Sequence, residues 1–158
     1  IDYEAFGDVV VFDSTYRVNR YNLPFVAFVG LNHHRSTVVF RIGVVLDETH
    51  KSYEWLLQTF VEAMGHKEPI TVITYGDSAM RKAIRKILPR TDHRLCSWHI
   101  EQNMIRHLRN PMLDDFRKLI YCRMGVYQFE KSWAKFKANY EFEEENEWMS
   151  IMYKLRKK

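Results

Sequence analysis

Apolar residues gather in short, mostly β-branched runs over the first part of the chain and in helical periods further on. The run Val9 to Phe12, closed by Asp13, predicts a buried central strand whose last residue emerges at the carboxyl edge of a sheet. Thr71 to Thr74 repeats the pattern and is followed by Tyr75, Gly76 and Asp77. Residues 1–8 read as a lead-in, broken by Gly7 and Asp8. A polar, tyrosine-rich segment, Ser14 to Asn22, separates the first strand from a second that starts at Pro24 and runs to Leu31, forming a β-hairpin. Asn32, His33, His34, Arg35 and Ser36 compose a turn, and Thr37 to Leu46 gives a third strand. Three consecutive strands imply an antiparallel meander at one side of the sheet. Arg41 and Gly43 interrupt the third, which points to an edge position or a bulge.

The period then changes. Tyr53, Leu56, Leu57, Phe60, Val61 and Met64 mark a helix with Ser52 as N-cap and Gly65 as its stop. After Pro69 and the strand at Thr71 to Thr74, Asp77 reads as the N-cap of a second helix that turns Met80, Ala83, Ile84, Ile87 and Leu88 inward and is closed by Pro89. Its outer face carries Arg81, Lys82, Arg85 and Lys86. A solvated face is the simpler reading of that stripe and a phosphate contact the sharper one. A fifth strand spans His93 to Trp98. From about residue 100 only helical periods remain: Ile100, Met104, Leu108; Leu113, Phe116, Ile120; Phe129, Trp133, Phe136, Tyr140; Trp148, Ile151, Met152, Leu155. The acidic run Glu141 to Glu147 begins the last helix, where negative charge suits the macrodipole. The order is β β β α β α β and then helices: an α/β chain without internal repeats or low-complexity tracts.

Composition narrows the class. With 158 residues, 46% hydrophobic and 15% aromatic, the chain has enough apolar surface for one compact unit with a substantial core. Its formal charge of +4 and pI near 9.0 permit an acidic partner such as nucleic acid without requiring one. Cys96 and Cys122 make no disulfide framework, and with no signal peptide or long apolar run the expectation is a reducing intracellular compartment and no membrane. The missing initiator Met and an ending inside a helical pattern read as an excised fragment. If the two carboxylate-terminated strands lie side by side, Asp13 and the residues at 75–77 meet, and their carboxylates could hold divalent metal ions for phosphoryl transfer. A turn or cap role is the plainer use of each aspartate.

Four stretches, FDSTYRVNRYNLPF, LDETHKSYEWLLQTFVEAMG, ITYGDSAMRKAIRKILP and HRLCSWHIEQN, together resemble the transposase-derived domain of Mutator-like elements. More narrowly they resemble the plant far-red-impaired-response family, transcription regulators domesticated from such transposases. The likeness is close over residues 1–105 and looser beyond. It implies an RNase H-like mixed sheet over residues 1–99 and a helical insertion over 100–158 that ends before the last catalytic element. Asp13 matches the first acidic residue of the family's DDE triad. The second acidic position is occupied by Tyr75, while Asp77 survives from the same motif. None of Glu141, Glu143, Glu144, Glu145 or Glu147 is assignable as the third. A two-metal site needs anionic oxygens, and a phenol whose pKa is about 10 is neutral at physiological pH. The resemblance thus implies a vestigial Asp13 and a retained fold without retained catalysis.

Cys96 and His99 match a Cys/His pair typical of these transposases, and their spacing allows a shared zinc ion if further ligands approach, with His93 and Cys122 the other candidates. A cysteine packed in the sheet and a histidine at a helix start is the plainer reading. The family implies a non-catalytic domain of a nuclear transcription regulator, with no cofactor of its own and zinc in the full-length protein. DNA contact is expected to be weak or made through flanking domains, and protein partners include a homo- or heterodimer. An active DDE transposase using magnesium at Asp13 and Asp77, and a pure protein-interaction module, are the alternatives.

Overall fold

The computed structural model describes residues 2–15, 19–140 and 147–156. Length alone suggested one compact unit; the chain divides into two, Ile1–Cys96 and Ser97–Lys158. The division falls where the strand runs give way to helical periods, and each unit has its own apolar cluster.

The first unit contains strands β1 (Val9–Thr15), β2 (Phe25–Leu31), β3 (Thr37–Val44), β4 (Thr71–Thr74) and β5 (Asp92–Leu95), in the sheet order β3-β2-β1-β4-β5. The meander β1-β2-β3 is antiparallel, whereas β1-β4 and β4-β5 are parallel. Helices α1 (Asp2–Phe6), α2 (His50–Ala63) and α3 (Ser78–Ile87) supply the rest. Val10, Phe12, Val26, Phe28, Phe40 and Val72 alternate onto one face of the sheet, where they meet Tyr53, Leu56, Leu57 and Phe60 of α2 and Met80, Ala83 and Ile84 of α3. Phe12, Phe28 and Phe60 stack in sequence, with centroids 4.9 and 4.1 Å apart. On the other side Val9, Leu31, Val39, Ile42 and Val44 are exposed.

Several boundaries differ from expectation. The lead-in contains α1, whose Tyr3 is buried. A Cβ on Gly7 would fall 2.4 Å from the Tyr3 carbonyl oxygen, so only glycine lets the chain turn there. The first strand runs two residues past Asp13, because pairing with β2 continues to Thr15 opposite Phe25. Helix α2 is capped by Thr49, not Ser52: Thr49 Oγ1 accepts from the Ser52 N–H, while the Ser52 hydroxyl donates to Asp47 at 2.5 Å. The third strand shows both an edge position and a bulge: pairing jumps from Phe28 opposite Arg41 to Val29 opposite Val39, leaving Phe40 as the extra residue. It ends at Val44, two residues short of Leu46. The fifth strand stops at Leu95, since β4 offers its last partner there at Thr74; Ser97 and Trp98 already belong to a helix.

The second unit comprises α4 (Ser97–His107), α5 (Met112–Tyr121), α6 (Val126–Asn139) and α7 (Glu147–Leu155). Met104, Leu108, Phe116, Leu119, Trp133, Phe136 and Met149 form its core. The first three helical periods read from the sequence supply most of it. In α7 the buried residue is Met149, with Met152 and Tyr153 packed beside it, and Ile151 is 43% exposed. The seam thus lies at spacing i, i+3, i+4 from Met149, and Trp148 sits at its border. Arg117 joins α5 to α4 through Glu101 at 2.8 Å, and Arg156 reaches Glu130 of α6 at 2.9 Å. Of the acidic run, 141–146 lie outside the described residues, and Glu147 begins α7. No helix among the described residues is long and apolar enough to cross a membrane.

Candidate functional site at the carboxyl edge of the sheet

Neighbouring parallel strands bring the two carboxylate-bearing stretches together. β1 and β4 pair Val9 with Thr71, Val10 with Val72 and Val11 with Ile73. Continuing that register puts Asp13 level with Tyr75. Asp13 lies inside β1, opposite Ala27, and its side chain alternates away from Phe12 and Ser14. Its Oδ1 is buried with no hydrogen-bond partner among the described residues.

The turn after β4 is organised by Thr74 and Asp77. Thr74 is buried; its Oγ1 lies 2.8 Å from His93 Nε2 and accepts from the Gly76 N–H at 3.2 Å. Gly76 has φ 99°, a conformation that costs glycine little and an L-side chain much. The chain then enters α3, where one Asp77 oxygen, Oδ1, accepts from the Met80 N–H at 2.8 Å. That oxygen is committed to capping.

Tyr75 turns back against the main core, and its hydroxyl is hydrogen-bonded to that of Tyr53. Tyr53 is fully buried, yet its hydroxyl reaches Glu48 Oε1 at 3.1 Å. The Ser14 hydroxyl donates to the same oxygen at 2.9 Å. Burial above all, then the charges of Glu48, Asp77 and Asp13, pushes the Tyr75 phenol up to about 12. Burial likewise drives Tyr53 far above its ordinary value. Both phenols are therefore neutral at physiological pH, and Glu48, Asp77 and Asp13 all lie close enough to be felt at Tyr75.

Glu48 was not among the residues singled out by sequence. It sits between Asp47 and Thr49 in the loop that caps α2, where its local context reads as solvated turn chemistry. Only the folded chain brings Ser14 to it across 34 residues.

The CxxH residues fall on either side of the division between units. Cys96 follows β5, half-buried, with its N–H donating to the Thr74 carbonyl at 2.8 Å. His99 is in the first turn of α4, its ring edge-on to Trp98 at 4.7 Å. Of the other candidates, His93 is engaged with Thr74 and Cys122 is exposed beyond α5. Among the described residues no three of His, Cys, Asp and Glu are grouped so as to hold a metal ion. His33 and His34 do lie in a turn, where Asn32 Oδ1 accepts from the backbone N–H groups of His34 and Ser36. The basic stripe on α3 borders a shallow groove with Glu54 and Ser78, and Lys86 pairs with Glu54 at 2.6 Å.

Residues 9–103 match the family model of the MULE transposase domain. Among curated proteins, Protein FAR1-RELATED SEQUENCE 5 of Arabidopsis thaliana is 37% identical over 163 residues, covering 99% of this chain and 21% of its own length. Protein FAR1-RELATED SEQUENCE 4 of the same plant is 33% identical, covering 99% of the chain and 22% of its own length. Protein FAR-RED IMPAIRED RESPONSE 1, also of Arabidopsis thaliana, is 30% identical, with 99% and 20% covered. The chain thus spans about a fifth of the length of these relatives.

Proposed function

Because this chain belongs to the MULE transposase domain family, we propose that it is a transposase-derived domain of RNase H-like architecture that no longer cleaves DNA and serves within a nuclear transcription regulator. The observation that carries this reading is Tyr75, level with Asp13 on the neighbouring strand and tied by its hydroxyl to Tyr53. Strand cleavage of the DDE type needs carboxylates converging at that place. Asp13 supplies one, vestigially; Asp77 is occupied as a helix cap. The likeness to the far-red-impaired-response relatives supports the regulatory and nuclear part of the reading.

No cofactor is required in this role. Magnesium belongs to the alternative, an active transposase, in which Asp13 and Asp77 would hold it. Zinc at Cys96 and His99 would need ligands from elsewhere in a longer protein. DNA contact by this stretch is weak, non-specific and steeply weakened by salt, because a net charge of +4 is small, its basic residues are dispersed and some of them are paired, as in Lys86–Glu54 and Arg90–Glu68. Protein partners, a second copy or a related chain among them, are the expected means of action.

A reporter assay with the full-length protein that carries this domain tests the reading. Asp13→Asn is expected to leave nuclear accumulation and reporter output unchanged. Loss of output with normal protein level would mean that the Asp13 carboxylate is still in use.

A further inference from the structure

The residues where this family would hold a divalent cation do not fit one, and we propose that the hydroxyl groups of Ser14, Tyr53 and Tyr75, clustered about Glu48, form the structural join of the sheet edge instead. The inference rests on the same reading of Tyr75 as the proposed function, and it adds what the substitution does for the fold.

Hard cations such as magnesium are held by several converging oxygens, most of them anionic. Here the geometry runs the other way. Asp77 spends one oxygen on the Met80 N–H, and among the described residues no three of His, Cys, Asp and Glu converge on a common point with Asp13. Tyr75 brings a proton where a ligand would bring a negative charge. The third nearby carboxylate, Glu48, already accepts two hydroxyl protons on one oxygen, from Ser14 at 2.9 Å and Tyr53 at 3.1 Å. A tyrosine hydroxyl has one proton. The Tyr53 hydroxyl lies between the Tyr75 hydroxyl and Glu48, so its one proton serves either neighbour while its position links both. Tyr75, Tyr53 and Glu48 then form one hydrogen-bonded cluster, joined by Ser14.

In a cation site carboxylates converge on a positive centre; in this one the positive ends of O–H bonds are directed onto a carboxylate. Hydrogen bonds to an ionised acceptor are among the stronger ones available to a protein. These tie together three places distant in sequence: the end of β1, the loop that caps α2 and the turn after β4. A divalent cation at Glu48 Oε1 would have to displace the donors that hold it.

Thermal unfolding of the chain at neutral pH tests the proposal, with magnesium, with manganese and with a chelator. The wild type is expected to unfold at the same temperature in all three. Tyr75→Phe and Glu48→Gln are each expected to lower the midpoint by about 4 °C, and the double variant by clearly less than the sum, as members of one network do. Ser14→Ala provides a milder third probe should Glu48→Gln fail to fold. A rise in wild-type midpoint with manganese that Asp13→Asn removes would overturn the proposal, and so would strictly additive losses. Either result leaves the question of strand cleavage open, so failure here and failure of the proposed function are separable.

Discussion

Tyr3 sits in the core of the N-terminal unit, its ring edge-on to Phe40 and Phe60 at 5.1 and 5.3 Å and its hydroxyl donating to the Lys67 carbonyl at 3.0 Å. Burial first, then the charges of Asp8 and Glu68, raises its pKa from 10.0 to about 12. The folded state therefore binds the phenolic proton more tightly than the unfolded chain. The stability this confers is complete below the ordinary value and is lost as the pH climbs from there towards the raised one. Tyr53 and Tyr75 are shifted in the same direction. Tyr3→Phe should thus flatten, without abolishing, the loss of stability between about pH 10 and 12, read from urea unfolding across that range. At neutral pH the variant should cost about 1 kcal/mol for the lost hydrogen bond. An alkaline slope identical to the wild type would show that the Tyr3 proton is not held by the fold.

Helix α3 begins at a single side chain, and that makes its cap separable from any metal role. Asp77→Ala should destabilise by about 1 kcal/mol, whereas Asp77→Asn, which still offers an oxygen to the Met80 N–H, should cost far less. Equal damage from both substitutions in chemical unfolding would mean that the negative charge, and not the cap, is what matters there. This cap was legible in the sequence because the helix signal is local: Asp77, an apolar face and Pro89 all lie within one short segment. The strands of the meander were legible for the same reason. Helix α1 was not, since a five-residue helix lacks a full amphipathic period and owes its form to the docking of Tyr3. Thr49 was missed as the α2 cap because Asp47, Thr49 and Ser52 hydrogen-bond among themselves, and each is a credible cap alone. Glu48 could not be read at all. Its partner Ser14 comes from the far side of two strands, and no spacing announces such a contact.

At the scale of the molecule, two apolar cores in one chain separate a sheet unit, which carries Asp13, Tyr75 and Asp77, from a helical unit held by Phe116, Trp133 and Phe136. The sheet unit has neighbouring parallel strands that bring Asp13 level with Tyr75, and the proposed reading is that the chemistry there has changed from carboxylate to phenol. A strand-cleavage assay with the full-length protein, in magnesium and in manganese, measures that change most directly. No nicking or strand transfer is expected from the wild type, because a neutral phenol stands level with Asp13 where a metal-binding carboxylate is needed. Nicking by the wild type that disappears in Asp13→Asn would contradict this, and would make Asp77 the leading second ligand.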